Sequence, residues 1–436
     1  MSAGLAHRNL SLESAVADAR ERYVGANPAS LAAHVEATAA MPGGNTRTVL
    51  FHSPFPLTMV RGQGARLWDA DGHEYADLLG EYTAGLYGHS NPVIRAAIDR
   101  ALDGGWNLGG HGVMEARLAR EIVSRFPSID LVRFTNSGTE ANLMAIATAL
   151  AVTGRSKVMV FDGGYHGGVL YFGGGGIPIN APHQWVVGTY NDPISAMALA
   201  ETHAADLGCI IVEPMLGSGG CLPATEAFLQ TLRDAATRTG AILIFDEVMT
   251  SRMSGGGRQA QLGITPDMTT LGKYIGGGMS FGAFGGRADI MERYDPRRPD
   301  AIPHAGTFNN NVLTMAAGFT GLSQLFTPAV ADVLFARGEA LRARLSAVSV
   351  GLMQWTGIGS MACVHFRTGE ITRPTPSDAR ENGLRELFFF DMLAAGFYLA
   401  RRGMVALSLE VTDADTARFV DSVTEFVASR RPLLEA

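Results

Sequence analysis

The chain has 436 residues, 47% of them apolar and 18% charged. This excludes a disordered chain and suits one large globular unit plus a smaller one. Its 35 basic and 42 acidic residues leave a net charge of −7, which excludes a broadly basic nucleic-acid binder. Apolar runs such as residues 241–245 are far too short to span a bilayer, and no apolar segment resembles a secretion signal, so neither membrane insertion nor export is expected.

Residues 11–40 read as helix, from the spacing of Leu12, Ala15, Val16 and Ala19, with a break at Asn27-Pro28. Met41-Pro42-Gly43-Gly44-Asn45 is a loop, and Asp69-Ala70-Asp71-Gly72 is a hairpin turn between short strands. From about residue 90 the pattern changes. Continuous apolar strands are predicted at Leu131–Thr135, Lys157–Phe161, 209–212 and 241–245, with helices at 139–152 and 225–238 between them. This is the pattern of an α/β fold with a mostly parallel sheet covered on both faces. A flexible loop is expected at 173–176. After about residue 330 come a helix over 330–349, short strands and a last helix over 413–430. The expected division is an N-terminal segment (1–89), a large domain (90–329) and a C-terminal part (330–436), the two ends together forming a small α+β domain.

Only Cys209, Cys221 and Cys363 are present, an odd and sparse set that fits a reducing cytoplasm. Cys209, inside an apolar run, reads as a buried, inert thiol. The eleven histidines never fall three to five residues apart, so no local metal site is expected. The many glycine clusters suggest backbone lying close to a ligand.

Ligands of such sheets sit beyond the carboxyl ends of the strands. There, Ser137, Gly138 and Thr139 open a helix, where free N–H groups and hydroxyls suit a phosphate; an ordinary helix cap is the plainer alternative. Asp246 ends a buried strand and needs a partner, either an arginine such as Arg252 or a protonated ring nitrogen. Glu247 would face the opposite way. Lys273 lies in Leu271-Gly272-Lys273-Tyr274-Ile275-Gly276-Gly277-Gly278, where desolvation would make its amine nucleophilic, although a lone lysine is more often a surface charge. Tyr165, between glycine pairs in Gly163-Gly164-Tyr165-His166-Gly167-Gly168, can lie against a planar ring or simply fill the core. Gly278-Met279-Ser280-Phe281-Gly282 matches G-x-S-x-G but lacks the strand before and helix after that a serine nucleophile requires.

In this order and spacing the set resembles the class III aminotransferases, pyridoxal-phosphate enzymes of fold type I, from about residue 40 to the C-terminus. The resemblance implies that Lys273 carries the cofactor and shuttles the proton, and that Asp246 keeps the ring nitrogen protonated. It implies that Ser137, Gly138 and Thr139 hold the phosphate, and that Thr307, in Gly306-Thr307-Phe308-Asn309, completes that site from a neighbouring subunit of a homodimer. Tyr165 and Val248 would cover the two ring faces.

Pro42-Gly43-Gly44-Asn45-Thr46-Arg47 is similar to the glutamate-1-semialdehyde aminomutases, but Asn45-Thr46-Arg47-Thr48 and Phe308-Asn309-Asn310-Asn311 depart from their pattern. Arg47-Thr48-Val49-Leu50-Phe51, Glu81-Tyr82-Thr83-Ala84-Gly85, Val248-Met249-Thr250-Ser251-Arg252 and Arg402-Gly403 resemble the β-phenylalanine aminotransferases more closely. That resemblance implies that Arg47 binds the carboxylate of the amino donor and Arg402 that of a keto acid acceptor such as 2-oxoglutarate or pyruvate, with Arg401 as a neighbouring alternative. Phe51, Tyr82 and Met249 are the candidates for the apolar lining. The expected reaction is transamination of a β-amino acid; aminomutase chemistry on the same cofactor is the alternative, and a serine hydrolase using Ser280 is disfavoured.

Overall fold

The computed structural model describes residues 11–436. Two helices, α1 (Leu12–Ala26) and α2 (Pro28–Thr38), lead in, separated at Asn27-Pro28 as the spacing predicts. Pro28 is the first residue of α2, where its missing N–H costs nothing. Strands β1 (Met59–Gln63), β2 (Arg66–Asp69) and β3 (Glu74–Asp77) form an antiparallel meander. The turn between β2 and β3 is held by Asp69, whose Oδ1 accepts the backbone N–H groups of Asp71 and His73.

The central sheet has seven strands: β4 (Leu131–Thr135), β5 (Lys157–Phe161), β6 (Gln184–Gly188), β7 (Leu207–Val212), β8 (Ile242–Asp246), β9 (Met268–Gly272) and β10 (Gly282–Gly286). Their order across the sheet is β4-β10-β9-β8-β7-β5-β6. Only β10 runs antiparallel to its neighbours. Every residue of β7, β8 and β9 is buried, which is why these strands read as unbroken apolar runs rather than as alternation. Helix α3 (Gly138–Thr153) crosses one face, with Ala141, Ala145 and Ala149 fully buried at four-residue spacing. Side chains this small let the helix lie close to the sheet. Helix α4 (Glu226–Thr239) buries Phe228, Leu229 and Leu232 against a separate core with Phe161 and Phe245. The strand expected at 241–245 is shifted by one residue, so Asp246 is its last member and keeps ladder contact with Thr270 of β9.

Helix α5 (Val312–Thr320) packs under the Lys273 segment, and α6 (Pro328–Val348) follows. Strands β11 (Gln354–Ile358) and β12 (Met361–His365), helix α7 (Ala379–Ala394), strands β13 (Phe397–Tyr398) and β14 (Met404–Ala406), and helix α8 (Asp413–Glu435) complete the chain. β13 pairs in parallel with β3, joining the two ends of the chain in one four-stranded sheet. Arg20 of α1 pairs with Glu386 of α7, tying the same ends together. The 173–176 loop contains a short 3-10 turn rather than irregular chain alone. No single helix among the described residues is long and apolar enough to cross a membrane; Val312–Leu325 and Pro328–Val348 reach that length only together, across a 76° bend.

One expectation is corrected. The Gly276-Gly277 pair approaches protein, not ligand: a Cβ on Gly277 would lie 2.4 Å from the carbonyl carbon of Ala317, and one on Gly276 2.3 Å from Phe281 Cβ. These glycines let α5 press against the turn that carries Lys273.

Candidate active site

Helix α3 begins at the carboxyl end of β4. Its cap residue Ser137 accepts the Glu140 N–H at 3.1 Å, and the Glu140 carboxylate returns to the Asn136 N–H at 2.7 Å. The backbone N–H groups of Ser137, Gly138 and Thr139 have no acceptor among the described residues. They stand at the positive end of a 16-residue helix, an arrangement that fits a phosphate. The start of the helix is also tightly placed. A Cβ on Gly282 would lie 2.1 Å from the Ser137 carbonyl oxygen, and one on Gly138 3.0 Å from Val248 Cγ2. The second glycine of the G-x-S-x-G match is therefore explained by packing, and Ser280 is exposed ahead of a strand.

Asp246 is buried at the end of β8, and its bonds rule out the arginine alternative. Oδ2 accepts from His166 Nδ1 and from Asn142 Nδ2, both at 2.8 Å, and Oδ1 accepts the Val248 N–H at 3.0 Å. Asn142 is itself fixed, donating to the His166 carbonyl at 2.9 Å and accepting from Thr270 Oγ1 at 2.5 Å. Arg252 donates instead to the carbonyl oxygen of Leu407. Oδ1 thus keeps a lone pair for a further donor, as a protonated ring nitrogen would require. Glu247 turns away as expected and accepts from Arg258, Gln259 and Thr250.

Lys273 follows β9 directly. Its backbone φ is +54°, uncommon for a residue with a Cβ. Burial of its surroundings lowers its pKa, Asp246 opposes that shift, and Arg402 adds to it. The side chain is partly buried, and its amine has no hydrogen-bond or ion-pair partner among the described residues. Val248 lies between Gly138 and Gly272; a Cβ on either glycine would crowd it at 3.0 and 3.3 Å.

Tyr165 is 45% exposed and so does not fill the core; its ring meets Tyr171 edge-on. Its N–H donates to Glu213 Oε1 at 2.8 Å, and the Gly217 N–H donates to Oε2 at 3.1 Å. Burial pushes the Glu213 carboxyl up to about 7, against the opposing pull of His166. Neither Glu213 nor Asn142 was singled out from the sequence. Glu213 follows the end of β7 as Asp246 ends β8, so its place beyond a strand end was a signal present in the sequence. Asn142 sits one helical turn beyond the helix start and carries no such signal. His166 lies in the same glycine-rich loop as Tyr165, and nothing in the loop's spacing marks its contact with Asp246.

The second half of the site lies on loops. Thr48, Val49, Phe51, Tyr82 and Arg402 border a cleft of about 560 Å³ that Lys273, Asp246, Arg47 and Met249 do not line. Arg47 Nη1 is 2.6 Å from Glu81 Oε1, the two side chains being 47% and 54% exposed. Arg402 has no carboxylate partner among the described residues. Its guanidinium lies 5.1 Å from the Tyr82 ring centre, and its Nε is buried without a partner. Arg401, which borders the same cleft, pairs with Glu386 at 2.9 Å. Tyr82 sits on a left-handed turn, with φ of +55° at Gly80, +48° at Glu81, +53° at Tyr82 and +82° at Thr83. Three of these four residues carry a Cβ, and such geometry costs about 1–3 kcal/mol per residue. The Asp77 carboxylate anchors the turn by accepting the N–H groups of Leu79 and Gly80. Met249 is half-buried, and a Cβ on Gly217 would lie 2.1 Å from its sulfur. Phe51 is 43% exposed. Thr307 is exposed in a loop whose Asn309 accepts from Asn136 of the same chain at 3.1 Å. Among the described residues no group of three or more His, Cys, Asp or Glu could hold a metal ion.

The comparisons with known proteins agree with this geometry. A family model described as aminotransferase class-III matches residues 51–172 and 184–423. A β-phenylalanine transaminase of Variovorax paradoxus is 53% identical over 427 residues, covering 97% of this chain and 98% of its own. A solved β-phenylalanine aminotransferase structure from the same organism superimposes with a TM-score of 0.95, at 53% identity, over 97% of this chain and 99% of that one. A solved transaminase with PLP bound superimposes with a TM-score of 0.84 at 29% identity, over 94% of this chain and 99% of that one. A glutamate-1-semialdehyde 2,1-aminomutase of Sorangium cellulosum is 36% identical over 392 residues, covering 85% of this chain and 89% of its own. With its sheet order, strand-end aspartate and lysine as described, the chain belongs to the class-III aminotransferases.

Proposed function

We propose that the chain uses pyridoxal phosphate to move an amine from a β-amino acid of the β-phenylalanine type to a keto acid such as 2-oxoglutarate or pyruvate, leaving a β-keto acid. The observation that carries the substrate class is the pair of differently dressed arginines, Arg47 and Arg402, flanking Tyr82. The 53% identity to the Variovorax transaminase supports the same reading.

In this reading the free N–H groups of Ser137, Gly138 and Thr139 hold the phosphate, and Asp246 Oδ1 accepts the ring N–H. Val248 and Tyr165 cover the two ring faces. When bound, the cofactor supplies a conjugated ring that accepts the electron pair left when a substrate carbon loses its proton. The protein provides the rest. Lys273 Nζ, its pKa lowered by burial, is the group that takes the proton from C3 of the substrate and releases it on the other side of the exchange. His166 and Asn142 hold the Asp246 carboxylate in place.

Arg47 takes the carboxylate of the β-amino acid. In such a substrate the carboxylate stands one carbon farther from the reacting carbon than in an α-amino acid, and a guanidinium fork on a loop suits that distance. Arg402, with no carboxylate to hold it, is available to the acceptor. Phe51, Tyr82 and Met249 line the space for the aryl group. The assignment of residues 90–329 as the cofactor-binding domain, with 1–89 and 330–436 flanking it, is part of the same reading. So is a homodimer in which Thr307 reaches the partner's phosphate site, in a cytoplasmic enzyme.

The test is the visible spectrum of the purified holoprotein during addition of β-phenylalanine with no keto acid present. Absorbance of the aldehyde form of the cofactor should give way to that of its amine form, and pyruvate or 2-oxoglutarate should restore it. An unchanged spectrum with β-phenylalanine, together with turnover of an amino aldehyde needing no keto acid, would favour the aminomutase alternative.

A further inference from the structure

Arg47 and Arg402 differ in one respect that their shared chemistry does not explain. Arg47 is already engaged with a carboxylate, at 2.6 Å, whereas Arg402, beside the Tyr82 face and the Met404 sulfur, has no carboxylate partner among the described residues. The partner of Arg47 is also unusually mounted. Glu81 opens the left-handed run Glu81-Tyr82-Thr83, in which every residue bears a Cβ. A surface ion pair alone does not require so costly a backbone. The turn hangs from the buried Asp77 by two backbone hydrogen bonds, and it sets Glu81 next to Tyr82, which borders the cleft. The charge of Glu81 also reaches the Lys273 amine.

We propose that Glu81 is a resident carboxylate that occupies Arg47 in the free enzyme and is displaced by the substrate carboxylate, making it a specificity-determining residue for zwitterionic β-amino acids. The inference rests on Arg47 as the carboxylate partner in the proposed function. The pair Arg47–Glu81 presents one positive and one negative group, the complement of a substrate's carboxylate and ammonium. A zwitterion can replace the broken pair with two new ones, its carboxylate on Arg47 and its ammonium beside the freed Glu81. An amine without a carboxylate cannot release Arg47 and gains nothing from opening the pair. Because both side chains are about half exposed, the exchange opposes binding only modestly. Arg402 carries no such guard, which fits a site that takes whichever keto acid arrives.

The test compares the holoenzyme with its Glu81→Gln variant, which keeps the side-chain size and removes the charge. The measurements are KM for β-phenylalanine and the competitive inhibition constants of 3-phenylpropanoate, which has the carboxylate only, and 1-phenylethylamine, which has the amine only. The expected result is a fall of about two- to five-fold in the 3-phenylpropanoate constant, the fold-change matching an exposed ion pair. KM for β-phenylalanine should fall less, since the variant also loses the partner of the ammonium. The 1-phenylethylamine constant should stay the same or rise. A 3-phenylpropanoate constant that is unchanged or higher overturns the proposal and makes Glu81 a residue that merely positions Arg47. An Arg47→Gln variant separates the two readings. If it leaves the 3-phenylpropanoate constant unchanged, the assignment of Arg47 itself fails. If it raises that constant while Glu81→Gln does not lower it, only the role of Glu81 fails.

Discussion

The two sides of the site are built on opposite principles. On the strand side Asp246, Asn142 and Thr270 are buried, and His166 with them, and their polar atoms bond to one another at 2.5 to 2.9 Å. On the loop side Arg47, Glu81 and Phe51 are each more than 40% exposed, and the Arg47–Glu81 pair is open to solvent. Inside a sheet an unpaired polar group is expensive, so each must find its partner and the geometry has one solution. At a loop surface water replaces any partner at little cost, so contacts are exchangeable. The first arrangement suits a group that stays, and the second suits two substrates that come and go in turn.

The largest effect should come where the strand side meets chemistry. Lys273→Ala should lower turnover by at least about a thousand-fold, since no other amine faces the site to move the proton. Near-normal turnover would break the assignment of the strand side altogether. Next come the arginines, and they should separate. Arg47→Gln should lower kcat/KM for the β-amino acid by about 10- to 100-fold, the value of a hydrogen-bonded charge, and leave the keto acid half-reaction nearly intact. Arg402→Gln should do the reverse. Half-reactions followed separately at the cofactor absorbance would show this, and equal losses in both halves for both variants would mean that the loop side is one rigid site, not an exchangeable one. Smaller still is Asn142→Ala. It removes a donor from Asp246 and a partner from Thr270, leaving buried polar groups unmatched, and should cost about 1–3 kcal/mol of stability by chemical denaturation. A loss within error would show that the strand side tolerates disorder as the loop side does.

The same contrast governs how much could be read from the sequence. Buried parallel strands are unbroken apolar runs, so β4, β5, β7 and β8 were legible to within a residue or two, and with them the strand-end residue Asp246. Helix starts are legible because capping has a local chemistry, which is why Ser137 to Thr139 stood out. Asn142 was not legible, because its role depends on lying across from β8 and β9, a relation that no local pattern encodes. Glu81 belongs to the Glu81–Gly85 motif, yet its pairing with Arg47, 34 residues away, and its left-handed backbone belong to tertiary structure. The glycines misled in the other direction. Clusters read as ligand contacts proved at Gly276 and Gly277 to be contacts with Phe281 and α5, since the absence of a Cβ serves any close approach equally.

The loop side still needs an anchor, and His52, next to Phe51, supplies one that can be tested by pH. Its ring is buried against Phe389 at 4.9 Å and Tyr23 at 5.5 Å, with Nδ1 unpartnered. Burial pushes its pKa down to about 4, only partly opposed by its contact with the Ser53 backbone. Between that value and the ordinary histidine range near 6.5 the unfolded chain binds a proton that the folded one refuses. Stability from this group is therefore complete above about pH 6.5 and is lost as the pH falls toward 4, amounting to about 2 kcal/mol already lost at pH 5. His52→Phe keeps an aromatic ring in the same place and removes the titration. It should leave stability near neutrality little changed while making the decline between pH 6.5 and 4 shallower in urea midpoints measured across that range. An unchanged acid limb would mean that the loop bearing Arg47 is held without His52, and that its footing is as exchangeable as the ion pair it displays.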